Sequence, residues 1–185
     1  MKRILTIWAA ALVCVASLVG PVALAQAPAA RAQPAYRVGT GDRLKVSVYN
    51  AEKLSGEYPV GGDGKIALPM IGRIPVAGLT LDEVGALLTQ RLGDGYLLNP
   101  NVSVDIIAYR SVYILGEVGK PGQYPYVEGL TIYQLVAQAG GFSYRANRKT
   151  VRLRHEGDTR EHKYSISNGS PVKPGDTVVI LQRYF

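Results

Sequence analysis

The sequence predicts an α+β protein made of two small tandem units, each a small mixed sheet with one main helix. Three observations predict it. Two short helical patterns both begin with Gly-Leu-Thr, at residues 78–80 and 129–131. Several segments alternate apolar and polar residues with a period of two, which is typical of strands. A Gly-Asp corner precedes both the first and the last predicted strand, at residues 41–42 and 175–176. The chain therefore repeats one arrangement of elements.

The chain begins with a segment typical of a secretory signal peptide. Two basic residues precede an apolar run over residues 4–19, and small residues at positions 23 and 25 form a site for signal peptidase. We expect residues 1–25 to be removed, which places the mature protein outside the cytoplasm. An uncleaved membrane anchor is the alternative, but the apolar run is short for a membrane span. Residues 26–35, rich in Ala, Pro and Gln, are predicted to be a flexible lead-in.

The first unit, residues 36–109, contains three segments with strand patterning. Leu44, Val46 and Val48 alternate with polar residues. A second strand is predicted at residues 65–68 after a Gly-Asp-Gly turn, and a third at 102–106 after Asn-Pro-Asn.

Each unit also contains one helix whose start is marked by a capping box. Thr80 pairs with Glu83 in the first, and Thr131 with Gln134 in the second. The first helix is predicted to end near Gly93, and the second at the glycine pair 140–141, where left-handed backbone costs little. The apolar residues at helical spacing are Leu81, Val84, Leu88, Ile132, Leu135, Val136 and Ala139.

The second unit, residues 110–185, opens with an apolar strand at residues 112–118. A Gly-Lys-Pro-Gly turn leads from it into a second strand at 123–126. We expect the final residues, 182–185, to continue a packed strand. Three further strands are predicted, at residues 150–154, 163–166 and 178–181.

The charge of the chain is modestly basic. The formal net charge is +7, and removal of Lys2 and Arg3 with the signal peptide lowers it to +5. Basic residues concentrate in residues 145–163, where acidic residues are mixed with them. A solvated strand and loop face is the first interpretation, and an anionic polymer or phospholipid headgroups would also suit the charge. No nucleic-acid partner is expected, because that role requires a cleaner basic stripe.

Residues that could carry redox or metal chemistry are scarce. The sole cysteine, Cys14, lies inside the predicted signal peptide, so the mature chain has no disulfide and no thiol nucleophile. His155 and His162 occur without an acidic cluster and are interpreted as solvated side chains. We therefore expect no metal and no cofactor.

Four acidic residues could be considered as the carboxylate pair of a glycosidase. Each has a structural interpretation instead, in a turn, a helix cap or a strand motif, so the sequence predicts a protein that is not an enzyme. These residues are Asp42, Asp63, Glu83 and Glu117.

From residue 36 onward the chain resembles the outer-membrane polysaccharide export family. The resemblance rests on residues 36–42, 54–58, 63–74, 78–80 and 99–104 in the first unit. The second unit is similar to the β-grasp domain called SLBB, through residues 112–118, 121–125, 129–131 and 139–142. The motif residues, all interpreted as structural, are Gly41, Asp42, Asp63, Gly64, Gly78, Thr80, Gly116, Glu117, Pro121, Gly122, Gly129, Thr131, Gly140 and Gly141.

The resemblance implies a polysaccharide export domain over residues 36–109 followed by an SLBB domain over 110–185. It also implies a non-catalytic component of a capsule or exopolysaccharide export channel, periplasmic and associated with the outer membrane. The expected partners are further copies in a homo-oligomeric ring, an inner-membrane polysaccharide copolymerase, a separate outer-membrane β-barrel and the polysaccharide itself. The alternative is a stand-alone periplasmic module that binds a glycan as a monomer.

Six residues are candidates for contact with the polymer or with another subunit. They combine the basic stretch of the second unit with its tyrosine-rich strand. The twelve tyrosines as a group are expected to serve strand packing or interfaces more than direct sugar binding. The candidates are Tyr124, Tyr126, Arg145, Arg148, Lys149 and Arg152.

Overall fold

The computed structural model describes residues 35–166 and 169–183. The predicted signal peptide and residues 26–34 of the lead-in lie outside the described residues, as do the last two residues of the predicted final strand. The described elements form two lobes with separate hydrophobic cores, one built from residues before 110 and one from residues after it.

The first lobe contains five strands and one α-helix. A three-stranded antiparallel sheet has the order β2-β1-β5, and β3 and β4 form a separate antiparallel pair. A short 3₁₀ turn at Glu52–Leu54 connects β1 to β2. The elements are β1 (Arg43–Val48), β2 (Gly56–Pro59), β3 (Lys65–Leu68), β4 (Gly72–Pro75), α1 (Leu81–Gly93) and β5 (Val102–Ala108).

The core of the first lobe is formed by apolar residues that recur with the period of a strand in β1 and with the period of a helix in α1. Leu44 and Val46 of β1 point to the same face and are fully buried, as the period-two pattern predicts. Val84, Leu88 and Leu92 of α1 are also fully buried and belong to the same cluster. The helix therefore covers the apolar face of the sheet.

The second lobe contains a five-stranded mixed sheet and one α-helix. The strand order is β7-β6-β10-β8-β9, with β10 parallel to β6 and antiparallel to β8. Ile132 and Leu135 of the helix are buried in one cluster with Ile114, Val151 and Ile180 of the three central strands. The elements are β6 (Val112–Gly116), β7 (Gly122–Tyr124), α2 (Ile132–Gln138), β8 (Ala146–Arg154), β9 (His162–Ser165) and β10 (Thr177–Gln182).

The structure confirms the α+β class and both capping boxes. The Thr80 hydroxyl accepts from the backbone N–H of Glu83, whose carboxylate accepts from the backbone N–H of Thr80. In the second helix the Thr131 hydroxyl accepts from the N–H of Gln134, whose side-chain amide oxygen accepts from the N–H of Thr131. One detail is wrong: the strands of the first lobe form two antiparallel sheets, and only the second lobe has a mixed sheet. The pattern did not predict β2 and β4, because each is four residues long and contains both glycine and proline.

The repeated Gly-Asp corner has the same geometry in both lobes. Asp42 and Asp176 are almost completely buried, and the carboxylate of each accepts from a backbone N–H three residues earlier. The donor–acceptor distances are 2.7 Å from Gly39 and 2.8 Å from Lys173. Each aspartate thus closes a tight turn that feeds a strand.

Candidate functional site

Basic side chains cover the outer face of β8 in the second lobe. Arg152 and Arg154 are exposed and alternate with buried Val151 and Leu153, so both lie on the face opposite the core. Arg152 is directly opposite Lys163 of β9. Glu161 lies 3.5 Å from the guanidinium of Arg152, and an exposed pair of this kind contributes little to stability. This face therefore carries a net positive charge.

The other predicted basic contacts lie at the start of the same strand. Arg148 and Lys149 are exposed residues of β8, and Arg145 lies in the turn that precedes it. The guanidinium of Arg145 is 5.2 Å from the ring centre of Tyr144. The structure thus places the four predicted basic residues on one strand and the turn that leads into it.

The two predicted tyrosines lie elsewhere. Tyr124 ends β7, which is separated from β8 by two strands, and its hydroxyl donates to the carbonyl of Lys120 at 2.8 Å. Tyr126 is half-buried, and both rings pack against the core of the second lobe. Burial raises the pKa of the Tyr126 hydroxyl. The structure thus places both candidate tyrosines against the core of their own lobe.

The sequence did not predict a partly buried arginine at the junction of the two lobes. Arg110 lies between β5 and β6, and its guanidinium donates to the hydroxyl of Tyr36 at 2.7 Å and to Asp42 at 3.1 Å. Its backbone N–H also donates to Asp42, at 2.8 Å. On its other side the guanidinium forms an ion pair with Glu156 of the second lobe. Arg110 therefore connects the two lobes through one side chain.

Glycines make room for this arginine. A Cβ at Gly39 would collide with the Arg110 guanidinium, and a Cβ at Gly175 would lie 2.8 Å from its Nε atom. The first glycine comes from the corner of the first lobe and the second from the matching corner of the second lobe. The repeated corner therefore has a second role, in holding the junction. Nothing in the spacing of Arg110 relative to other motifs pointed to this role.

Three tyrosines lie against each other beside the junction. The rings of Tyr36 and Tyr109 meet edge to face at 5.0 Å, and those of Tyr109 and Tyr126 at 5.2 Å. Burial, and next the hydrogen bond from the Tyr36 hydroxyl to Asp42, raise the pKa of Tyr36 far above its usual value. Burial likewise raises the pKa of Tyr109.

The raised pKa of Tyr36 predicts a loss of stability at alkaline pH. Because the folded-state pKa exceeds the unfolded value of 10.0, the contribution is fully present below pH 10 and decreases as the pH rises above it. One such tyrosine adds a slope of at most about 1.4 kcal/mol per pH unit. We expect Tyr36→Phe to reduce the alkaline slope of the unfolding free energy, measured with urea. Tyr49→Phe, at an exposed position, is the matched control, and equal slopes for the two variants would refute the assignment.

One open groove lies on the first lobe, apart from the residues discussed above. An open groove of about 570 Å³ lies beside α1 in the first lobe, and mainly apolar residues such as Leu79, Ala86 and Leu87 line it. Across residues 35–166 and 169–183, no group of three or more His, Cys, Asp or Glu side chains could hold a metal ion. No helix within the described ranges is long and apolar enough to span a membrane.

Comparison with known families matches both lobes. Residues 30–107 match the family described as polysaccharide biosynthesis/export protein, and residues 111–162 match the SLBB domain. Together the two matches cover well over half of the chain.

The chain belongs to the polysaccharide biosynthesis/export family. The order of its two domains is the one that the sequence motifs indicated. Among its relatives is the exopolysaccharide production protein ExoF of Rhizobium meliloti (strain 1021), 35% identical over 137 residues, which are 68% of this chain and 32% of the relative.

Two other relatives are similar over shorter shares of the chain. The polysialic acid transport protein KpsD of Escherichia coli is 31% identical over 110 residues, 58% of this chain and 20% of that protein. The EPS I polysaccharide export outer membrane protein EpsA of Ralstonia solanacearum is 32% identical over 140 residues, 62% of this chain and 37% of that protein. The aligned part of the chain thus spans between a fifth and about two fifths of these relatives.

Proposed function

We propose that the protein is a non-catalytic component of a capsule or exopolysaccharide export channel, periplasmic and associated with the outer membrane. The observation that carries this proposal is the succession of a polysaccharide biosynthesis/export domain and an SLBB domain in one chain. The three relatives, named for exopolysaccharide production, polysialic acid transport and export at the outer membrane, support it. The signal-peptide pattern of residues 1–25 agrees with a location outside the cytoplasm.

The positions of the acidic side chains support a non-catalytic role. The carboxylate of Glu83 caps α1, and that of Asp63 lies 3.1 Å from the Arg73 guanidinium in the β3–β4 pair. The carboxylate of Glu117 accepts from the hydroxyl of Ser143 at 2.5 Å. Asp42 is buried under Arg110. Each carboxylate therefore has a structural partner, where a glycosidase would need a pair facing an open cleft.

We infer that copies of the chain assemble into a homo-oligomeric ring that encloses the path of the polymer. A ring forms when one face of a subunit fits a different face of its neighbour and the rotation closes. The domains proposed at residues 36–109 and 110–185 offer sheet edges for such contacts. The edge strand β9 is exposed along its whole length, which leaves backbone groups able to pair with another chain. An inner-membrane copolymerase and a separate outer-membrane β-barrel would meet the two ends of the ring.

Deletion of the gene tests the function directly. We expect the mutant strain to synthesise the polysaccharide but to retain it inside the envelope, because the enclosed path across the periplasm is lost. The measurement compares cell-surface and intracellular polysaccharide by immunoblot or sugar analysis in the deletion strain and in the strain complemented with the wild-type gene. Normal surface polysaccharide in the deletion strain would refute the proposal.

Cross-linking in intact cells tests the proposed assembly separately. A ladder of homo-oligomers, together with cross-links to an inner-membrane or outer-membrane protein, is the expected result. A chain that remains monomeric and without partners in cells that export polymer would instead favour a stand-alone glycan-binding module.

A further inference from the structure

Aromatic rings and arginines lie side by side around the turn that precedes β8 in the second lobe. The ring of Tyr144 is 79% exposed, and the Arg145 guanidinium lies 5.2 Å from its centre. The Arg148 guanidinium lies 5.8 Å from the ring of Phe142, which meets the ring of Tyr133 edge to face at 6.2 Å. We call these five residues the aromatic–arginine patch.

The backbone beneath the patch is held on two sides. The N–H and hydroxyl of Ser143 donate to the carbonyl and carboxylate of Glu117, just after β6. The hydroxyl of Ser143 also accepts from the N–H of Arg145 at 3.2 Å. On the other side, the N–H of Arg183 donates to the carbonyl of Arg145 at 2.7 Å. The turn therefore presents its side chains from a fixed backbone, which reduces the entropy lost when a ligand binds.

The two arginines of the patch have donors to offer. Within the part of the chain that the structure describes, neither Arg145 nor Arg148 forms an ion pair with a carboxylate, unlike Arg73, Arg110 and Arg152. Each instead lies over an aromatic ring, which orients the plane of the guanidinium and leaves N–H groups free for a ligand. Exposed aromatic rings that stand singly are common on protein surfaces, whereas aromatic rings and arginines together are enriched at binding surfaces.

The chemistry of the patch suits one class of ligand. A guanidinium binds a carboxylate through two parallel hydrogen bonds. An exposed tyrosine ring offers a flat apolar face to the C–H groups of a pyranose, and its hydroxyl remains available for hydrogen bonding. We propose that the aromatic–arginine patch binds carboxylate-bearing sugar units, such as uronic acids, of the polysaccharide. The inference rests on the proposed export function, since that function brings the polymer to this protein.

An anionic lipid surface fits the patch less well. Binding to acidic lipids typically requires a cluster of about four to eight basic residues. The patch contains two, and with Lys149 and Arg152 of strand β8 the number only reaches the lower end of that range. A tyrosine beside an arginine guanidinium instead suits a single sugar ring that carries one carboxylate. Lipid binding is therefore an outcome of the test below that would overturn the inference.

Binding to two matched oligosaccharides tests the patch in vitro. The probes are an oligogalacturonate and the same oligomer after chemical reduction of its carboxylates to alcohols, titrated calorimetrically into the full-length protein. We expect the charged oligomer to bind at least about tenfold more tightly than the reduced one. Only a carboxylate can accept two parallel, charge-assisted hydrogen bonds from one guanidinium. Increasing salt should weaken that binding. Equal affinities, or no binding of the charged oligomer, would overturn the inference.

Substitutions in the patch have close controls elsewhere in the chain. We expect Tyr144→Ala and the double variant Arg145→Gln/Arg148→Gln each to weaken binding of the oligogalacturonate by about tenfold or more. Tyr49→Ala, at a tyrosine that is 74% exposed, and Arg91→Gln, at an exposed position of α1, should change it by less than about twofold. Thermal unfolding of every variant establishes that it is folded. The inference would be overturned if the control variants lost as much affinity for the oligogalacturonate as the patch variants do. It would also be overturned if the patch substitutions weakened binding to phosphatidylglycerol vesicles more than binding to the oligogalacturonate.

Complementation of the deletion strain separates this inference from the proposed function. If the deletion blocks export and the triple variant Tyr144→Ala/Arg145→Gln/Arg148→Gln restores export only in part, the proposed function and the patch inference are both supported. If the triple variant exports a carboxylate-bearing polymer at the wild-type level, the patch inference fails and the function remains. If the deletion has no effect on export, the function itself fails.

Discussion

Replacing Arg110 with methionine should destabilise the protein by about 3 to 5 kcal/mol, the cost of removing one partner of a buried ion pair. Asp42 is fully buried, and the Arg110 side chain is only 18% exposed. Methionine retains much of the volume of arginine but leaves the Asp42 carboxylate without its cation. Glu156 loses its ion pair in the same variant, so the contact between the lobes weakens as well.

Urea unfolding of purified variants measures this effect. Arg91→Met, on the exposed face of α1, is the matched control and should change the unfolding free energy by less than about 0.5 kcal/mol. Adding Asp42→Asn to Arg110→Met removes the unpaired charge, so the double variant should be more stable than the sum of the single losses indicates. A cost for Arg110→Met no larger than that for Arg91→Met would show that the junction does not depend on this ion pair.

Replacing Gly116 with alanine should have an effect of similar size, for a different physical reason. Gly116 has a φ of 89°, and it is paired with Ile180 where β6 meets β10. A Cβ at Gly116 would collide with the carbonyl oxygen of Ile180, and the carbonyl carbon would be only 3.1 Å away. Backbone strain and overpacking together should cost about 3 to 5 kcal/mol, because the collision is with backbone that cannot rotate away.

Gly141→Ala separates the two contributions. Gly141 has a φ of 84°, close to that of Gly116, but a Cβ added there would have nothing within 4 Å of it apart from the adjoining residues of the chain. This variant should show the backbone strain alone, about 1 to 2 kcal/mol. The difference between the unfolding free energies of the two variants, measured under the same conditions, gives the energetic cost of the collision. Equal losses would mean that β6 and β10 shift apart at little cost.

Sequence patterns predicted the elements whose determinants are local. Thr80 and Thr131 fixed the starts of both helices, because a capping box needs only residues within one turn. The alternation of Leu44, Val46 and Val48 likewise predicted β1 and its buried face. Arg148, Lys149 and Arg152 lie on one strand, β8, because they are close in sequence.

Features that depend on distant residues could not be predicted in the same way. The network around Arg110 joins residues 36, 42, 110 and 156, and no spacing in the sequence indicates that these side chains meet. The exposure of Tyr144 was also missed, since tyrosine is as common in packed strands as on surfaces. Whether a given tyrosine is buried depends on the turn that presents it.

The central strand of the five-stranded sheet, β10, is the last strand of that sheet to be synthesised. During synthesis, β6 and β8 emerge before β10, yet each pairs with β10 along one edge. Until Thr177–Gln182 is delivered, both strands carry unsatisfied backbone groups that could pair with the wrong chain. A nascent chain of this protein is therefore most vulnerable to misassembly just before β10 is made, and that interval is when a chaperone would protect it best.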